Sequence, residues 1–115
     1  METKTKDGVI IVTIVSRFDA YTANDVEAAL KDLIAKGNRE IICDFSKTEY
    51  VASAGLRVLL SSAKSLKSVG GQILLVSLKS YVLETFEISG FTQIFKIFDS
   101  EEEALQSLKQ ARATR

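Results

Sequence analysis

The sequence predicts an α/β protein: one mixed, mostly parallel sheet of about five strands, covered by about four helices. Strand-length apolar runs alternate with segments whose apolar residues recur every three or four positions. One run, Ile41-Ile42-Cys43, is apolar on both faces, as a parallel strand covered on each side requires. Near the start, Asp7-Gly8 separates two strand-like segments with the chemistry of a tight antiparallel turn. These observations give the order ββαβαβαβα, with parallel strands joined by right-handed crossover helices and one antiparallel strand at an edge.

Each element has its own signal. Glu2 to Lys6 alternates charged groups with Thr3 and Thr5 and reads as the edge strand, with Val9 to Val15 as its central partner. From Thr22 the period turns helical: Val26, Ala29, Leu30, Leu33 and Ile34 share a face, Thr22 is placed to cap the helix, and Gly37 falls just past its end. Arg39 to Phe45 is the next strand, and Leu56, Leu59, Leu60 and Ala63 mark a second amphipathic helix that Gly70-Gly71 closes. Gln72 to Ser77 is a strand, about Ser80 to Ser89 a helix with Val82, Leu83 and Phe86 inward, and Ile94 to Phe98 a short strand. The last helix opens at Ser100, where Ser-x-x-Glu to Glu103 makes a capping box and Glu101, Glu102 and Glu103 sit near the positive end of the helix dipole. Leu105 and Leu108 dock it.

Composition narrows the function. The 115 residues suit one domain, since two would each have too little apolar surface to bury. Lys+Arg equals Asp+Glu, and no basic stripe interleaved with aromatics occurs, which argues against nucleic acid as a partner. With no His and a single cysteine, the chain lacks the parts of a common zinc site, a Cys-His or Ser-His-Asp device and an intramolecular disulfide. No GxxxxGKS loop is present, and Gly70-Gly71 precedes a strand where a nucleotide loop precedes a helix. No cofactor is expected. The polar start METKTKDG and the strand-length apolar runs predict a cytoplasmic protein with no signal peptide and no direct membrane insertion.

The most informative stretch runs from Asp44 to Leu56: a buried strand, a polar loop, and then Ser53-Ala54-Gly55-Leu56 opening a helix. Local physics gives Ser53 an ordinary role as N-cap and Gly55 one as a packing residue. Asp19 and Tyr21 precede the first helix, where Asp19 suits a turn and Tyr21 suits the edge of the core. Arg57 and Lys64, seven apart, share the exposed face of the second helix. Cys43 reads as a small core residue.

The Ser53-Ala54-Gly55-Leu56 segment resembles the motif of the STAS-domain anti-sigma-factor antagonists, in which a switch serine opens the second helix. Phe18-Asp19-Ala20, Gly70-Gly71, and the run from Phe86 through Ser89-Gly90-Phe91 to Ile94-Phe95 match the same family in the same order. The resemblance implies a single STAS-like domain over residues 1–115, in a bacterial regulator of transcription that is not an enzyme. It implies partner switching: the unphosphorylated form binds an anti-sigma factor that is also a serine kinase and so frees a sigma factor. The kinase then phosphorylates Ser53 and a phosphatase resets it. The residues carried over as partner-binding are Asp19, Tyr21, Ala52, Ser53, Ala54, Gly55 and Arg57. The sequence departs from the family at two places, with Ala52 where an acidic residue usually precedes the serine and Ser16 where a glycine is usual. Those departures motivate an alternative, a constitutive STAS interaction subunit of a transporter or lipid-trafficking complex.

Overall fold

A computed structural model describes residues 1–114. Strands β1 (Thr3–Lys6) and β2 (Val9–Thr13) form the expected hairpin. Asp7 and Gly8 both take positive φ, 54° and 80°, the left-handed pair that matches the twist of a two-residue turn. After a two-residue strand β3 (Arg17–Phe18) come α1 (Ala23–Ala35), β4 (Glu40–Asp44), β5 (Tyr50–Val51), α2 (Ser53–Ser68), β6 (Gln72–Val76), α3 (Ser80–Ile88), a 3₁₀ turn (Phe91–Gln93), β7 (Lys96–Phe98) and α4 (Glu101–Ala113). The main sheet has the order β1-β2-β4-β6-β7, antiparallel only between β1 and β2. The α/β class, the mixed five-stranded sheet and the four helices are those the sequence predicts.

Alternation along the strands divides the core in two. Val12, Cys43 and Leu75 face one side, where they pack with Val26 and Leu30 of α1, Leu59 of α2 and Phe86 of α3. Ile11, Ile42 and Leu74 face the other, which α4 alone covers with Ala104, Leu105 and Leu108. Ser100 caps α4 as expected, its hydroxyl accepting from the Glu103 N–H at 3.2 Å. Farther along, Arg112 of α4 pairs with Glu40 and donates to the Asp7 carbonyl at 3.0 Å, while Lys109 meets the Asp7 carboxylate at 3.2 Å.

Three local expectations need correction. Strand β2 stops at Thr13 and does not reach Val15, because the chain bends away to build a second, two-stranded parallel sheet from β3 and β5. The buried Thr48 hydroxyl holds that bend by donating to the Val15 carbonyl at 2.9 Å. Strand β7 begins at Lys96, two residues later than expected: the N–H groups of Ile94 and Phe95 both donate to the Phe91 carbonyl, so these residues close the 3₁₀ turn. Thr22 stands at the N-cap of α1 but makes no side-chain cap; its hydroxyl donates to the Arg17 carbonyl at 2.6 Å and accepts from the Asp19 N–H at 3.1 Å. The Gly70-Gly71 pair ends α2 for two reasons. Gly70 has φ 80°, and a Cβ on Gly71 would lie 2.3 Å from the Arg39 carbonyl oxygen.

Candidate functional site

The small β3–β5 sheet builds the site. Its register sets Arg17 opposite Tyr50 and Phe18 opposite Val51, and one residue on the Ala52 N–H donates to the Phe18 carbonyl at 2.9 Å. That bond holds Ala52 extended, with φ −100° and ψ 174°, immediately before the chain turns into α2. Ala52 is therefore the N-cap residue, and its carbonyl accepts from the N–H groups of Gly55 and Leu56. Ser53 is the first residue inside the helix and is exposed, so the reading of Ser53 as the cap is corrected.

A helix that starts on alanine has no side-chain oxygen to take up its first amides, and α2 carries no acidic residue in its first turn. The positive end of its dipole is left unneutralised beside the Ser53 hydroxyl. Arg57, one turn on, is exposed and makes no ion pair with the described residues. Ala54 is half-buried against the main core. Gly55 is buried: a Cβ there would lie 2.7 Å from the Phe18 carbonyl oxygen, so it shapes the site from beneath and presents no side chain to a partner.

The loop before α1 lies beside this helix start through Phe18. Asp19 organises it, accepting from the Tyr21 N–H on its carboxylate at 3.0 Å, from the Ala23 N–H on its carbonyl at 2.9 Å, and pairing with Arg17 at 3.4 Å. Its turn-forming role stands. Tyr21 does not cover the core, because it is 94% exposed. Ser16 has no positive φ, so the backbone there does not require the glycine usual in the resembling family. Its carbonyl accepts from the Glu49 and Tyr50 N–H groups.

Sequence reasoning missed two clusters beside these residues. Arg17 stacks its guanidinium 4.6 Å from the centre of the Tyr50 ring, a cation–π contact visible only once β3 and β5 are paired. Glu49, in the loop leading to β5, accepts from Lys79 and from the Tyr81 hydroxyl at the start of α3. The hydrogen bond from Lys79, then that from Tyr81, holds the Glu49 carboxyl below its usual range; the bond to Glu49 raises both Lys79 and Tyr81. Cys43 is buried in the main core and not on this surface. Desolvation, and secondarily the Asp44 charge, pushes its thiol up to about 12, which suppresses the reactive thiolate. Among the described residues no group of three His, Cys, Asp or Glu side chains is placed to hold a metal ion, and no helix is long and apolar enough to cross a membrane.

An exposed hydroxyl at a helix start, an exposed tyrosine and an unpaired arginine on a rigid two-stranded frame define a small α/β domain whose candidate site is a surface. The chain belongs to the STAS domain family, whose model matches residues 1–104. It is 40% identical over 105 residues to BtrV of Bordetella bronchiseptica, named as an anti-sigma factor antagonist, covering 91% of this chain and 90% of that one. It is 31% identical over 94 residues to the anti-sigma-B factor antagonist of Listeria monocytogenes, covering 82% of each chain. The crystal structure of the Thermotoga maritima protein tm1081, titled an anti-sigma factor antagonist, superposes with a TM-score of 0.88 at 26% identity, over 94% of this chain and 93% of that one.

Proposed function

We propose that this protein is a cytoplasmic anti-sigma-factor antagonist, a binding protein and not an enzyme, that works by partner switching at Ser53. Its unphosphorylated form binds an anti-sigma factor that is also a serine kinase; that kinase phosphorylates Ser53, and a phosphatase restores the hydroxyl. Residues 1–115 act as one domain, and Asp19, Tyr21, Ala52, Ser53, Ala54 and Arg57 form the surface that meets the partner, with Gly55 supporting it. The observation that carries the reading is Ser53 itself. It is exposed at the first position of α2, beside an unneutralised helix dipole, in a chain 40% identical to a protein named as an anti-sigma factor antagonist.

A phosphate at that position adds about −1.5 to −2 charges where a helix N-terminus tolerates an anion, so the fold survives modification. In a closed interface the same dianion must be desolvated, and a cost of roughly 3 to 4 kcal/mol weakens binding by about 100- to 1000-fold. The test is intact-mass spectrometry and peptide mapping after incubation with ATP and the cognate kinase, followed by affinity measurement for Ser53→Asp. One phosphate on Ser53 and a large loss of affinity are expected. No phosphoserine, together with unchanged affinity of Ser53→Asp, overturns the reading. A second reading, a constitutive interaction subunit, is favoured by one feature: Ala52 provides no carboxylate beside Ser53.

A further inference from the structure

The far end of α2, about 20 Å from Ser53 along the helix axis, carries a feature that the switch does not use. A groove of about 290 Å³ lies between α2 and the β6–β7 edge, with Ala63, Ile73, Ile94 and Phe95 among its apolar lining and Lys67 and Lys96 as its cations. Ile94 is 56% exposed, and neither lysine pairs with a carboxylate of the described residues. Close by in the chain, α3 presents the opposite chemistry. Ile88 is 82% exposed, and Glu84 and Glu87, four and one residues before it, are exposed on the same helix face and unpaired among the described residues.

We infer that this groove receives the α3 face of a second copy of the chain, Ile88 entering between Lys67 and Lys96 while Glu84 and Glu87 pair with them. Both halves of the contact are present on one molecule, and they are rigidly joined. Phe91 packs edge-on against Phe86 of α3 at 6.2 Å and stacks on Phe95 of the groove at 5.8 Å. Adjacent complementary patches of this kind close under a two-fold axis, each copy giving its α3 and receiving the other's, with Ile94 near the axis. The contact is small and its charges are solvated at the rim, so it is weak and salt-sensitive, with a Kd on the order of 100 µM. It lies apart from Ser53 and does not depend on that residue's modification.

Sedimentation equilibrium on the full chain up to about 500 µM tests it, above the expected dissociation constant. Three proteins are compared: the wild type, Lys67→Glu/Lys96→Glu, and Glu84→Lys/Glu87→Lys. The wild type is expected to approach the mass of two chains at low salt, and each charge-reversed variant to remain a monomer. An equimolar mixture of the two variants is expected to associate, since the acidic groove of one then meets the basic helix of the other in one contact, and a basic groove meets an acidic helix in the second. Circular dichroism confirms that these exposed substitutions leave the fold intact. A wild type that stays monomeric overturns the inference and leaves the groove to another acidic, apolar partner. Association unaffected by the charge reversals, or a mixture that fails to associate, overturns it as well.

Discussion

The carbonyl oxygen of Phe18 lies where a side chain on Gly55 would have to go: a Cβ on Gly55 would sit 2.7 Å from it. The same oxygen accepts the Ala52 N–H, so one carbonyl both fixes the start of α2 and forbids a side chain at position 55. Because the obstruction is backbone, it does not yield as the end of a flexible side chain would. Gly55→Ala is expected to destabilise the protein by about 1–3 kcal/mol, the usual cost of overpacking. Urea denaturation with an unchanged slope and a lowered midpoint would show it; an unchanged midpoint would mean that β3 and α2 separate more easily than their contact implies.

Arg57 follows Ser53 by four residues, and helical side chains lean toward the N-terminus, so its guanidinium leans toward the Ser53 position. In protein carrying a phosphoserine installed at position 53, Arg57 is expected to favour the dianion and lower the second phosphate pKa below its ordinary value of about 6. A ³¹P NMR titration should show that value rising when Arg57→Gln is introduced. Identical titrations would place Arg57 out of reach of the phosphate.

The Glu49–Lys79–Tyr81 cluster sets a pH window. Glu49 is held below its usual range by the bonds from Lys79 and Tyr81, so its contribution is present above the ordinary glutamate pKa of about 4.3 and is lost as pH falls through the lower folded-state value. Lys79 and Tyr81 are raised by the bond to Glu49, so their contribution is complete below their ordinary values of about 10 and fades as pH rises through the folded-state ones. A ¹³C titration of the Glu49 carboxyl should move upward in Lys79→Gln. Coincident curves for the two proteins would count against the cluster in solution.

Helix α4 is held by two kinds of contact with different energetic weight. Leu108 is 2% exposed in the core beneath the sheet, and Leu108→Ala is expected to cost about 2–5 kcal/mol. The Arg112 contacts to Glu40 and Asp7 are partly solvated, and Arg112→Ala is expected to cost less than about 1 kcal/mol. Thermal unfolding of the two variants should rank them in that order, and the reverse ranking would make the ionic latch the principal anchor.

What the sequence made legible follows from the range of each determinant. The Asp7-Gly8 turn, the Gly37 stop and the Ser100 cap are written in neighbouring residues, and they form as read. The β3–β5 pair was not legible, since two-residue strands leave no periodicity. The position of Ser53 was misread for a related reason: the extended backbone of Ala52 depends on a carbonyl 34 residues away. Ile94 and Phe95 look alike as apolar residues, yet the Phe91 ring buries only the second. Arg17 with Tyr50, and Glu49 with Lys79 and Tyr81, meet across 33, 30 and 32 residues, where no local pattern links them.

Cys43 lies in the middle strand of five, hydrogen-bonded between β2 and β6 and covered on its own face by helices. No thiol reagent reaches it until that sheet comes apart. The single cysteine is thus a built-in clock for whole-molecule opening, and the rate at which iodoacetamide consumes it reports how often the native protein visits its open state. Comparing that rate for Ser53→Asp and the wild type would show, without attaching any label, whether charge at the start of α2 loosens the centre of the fold or leaves it closed.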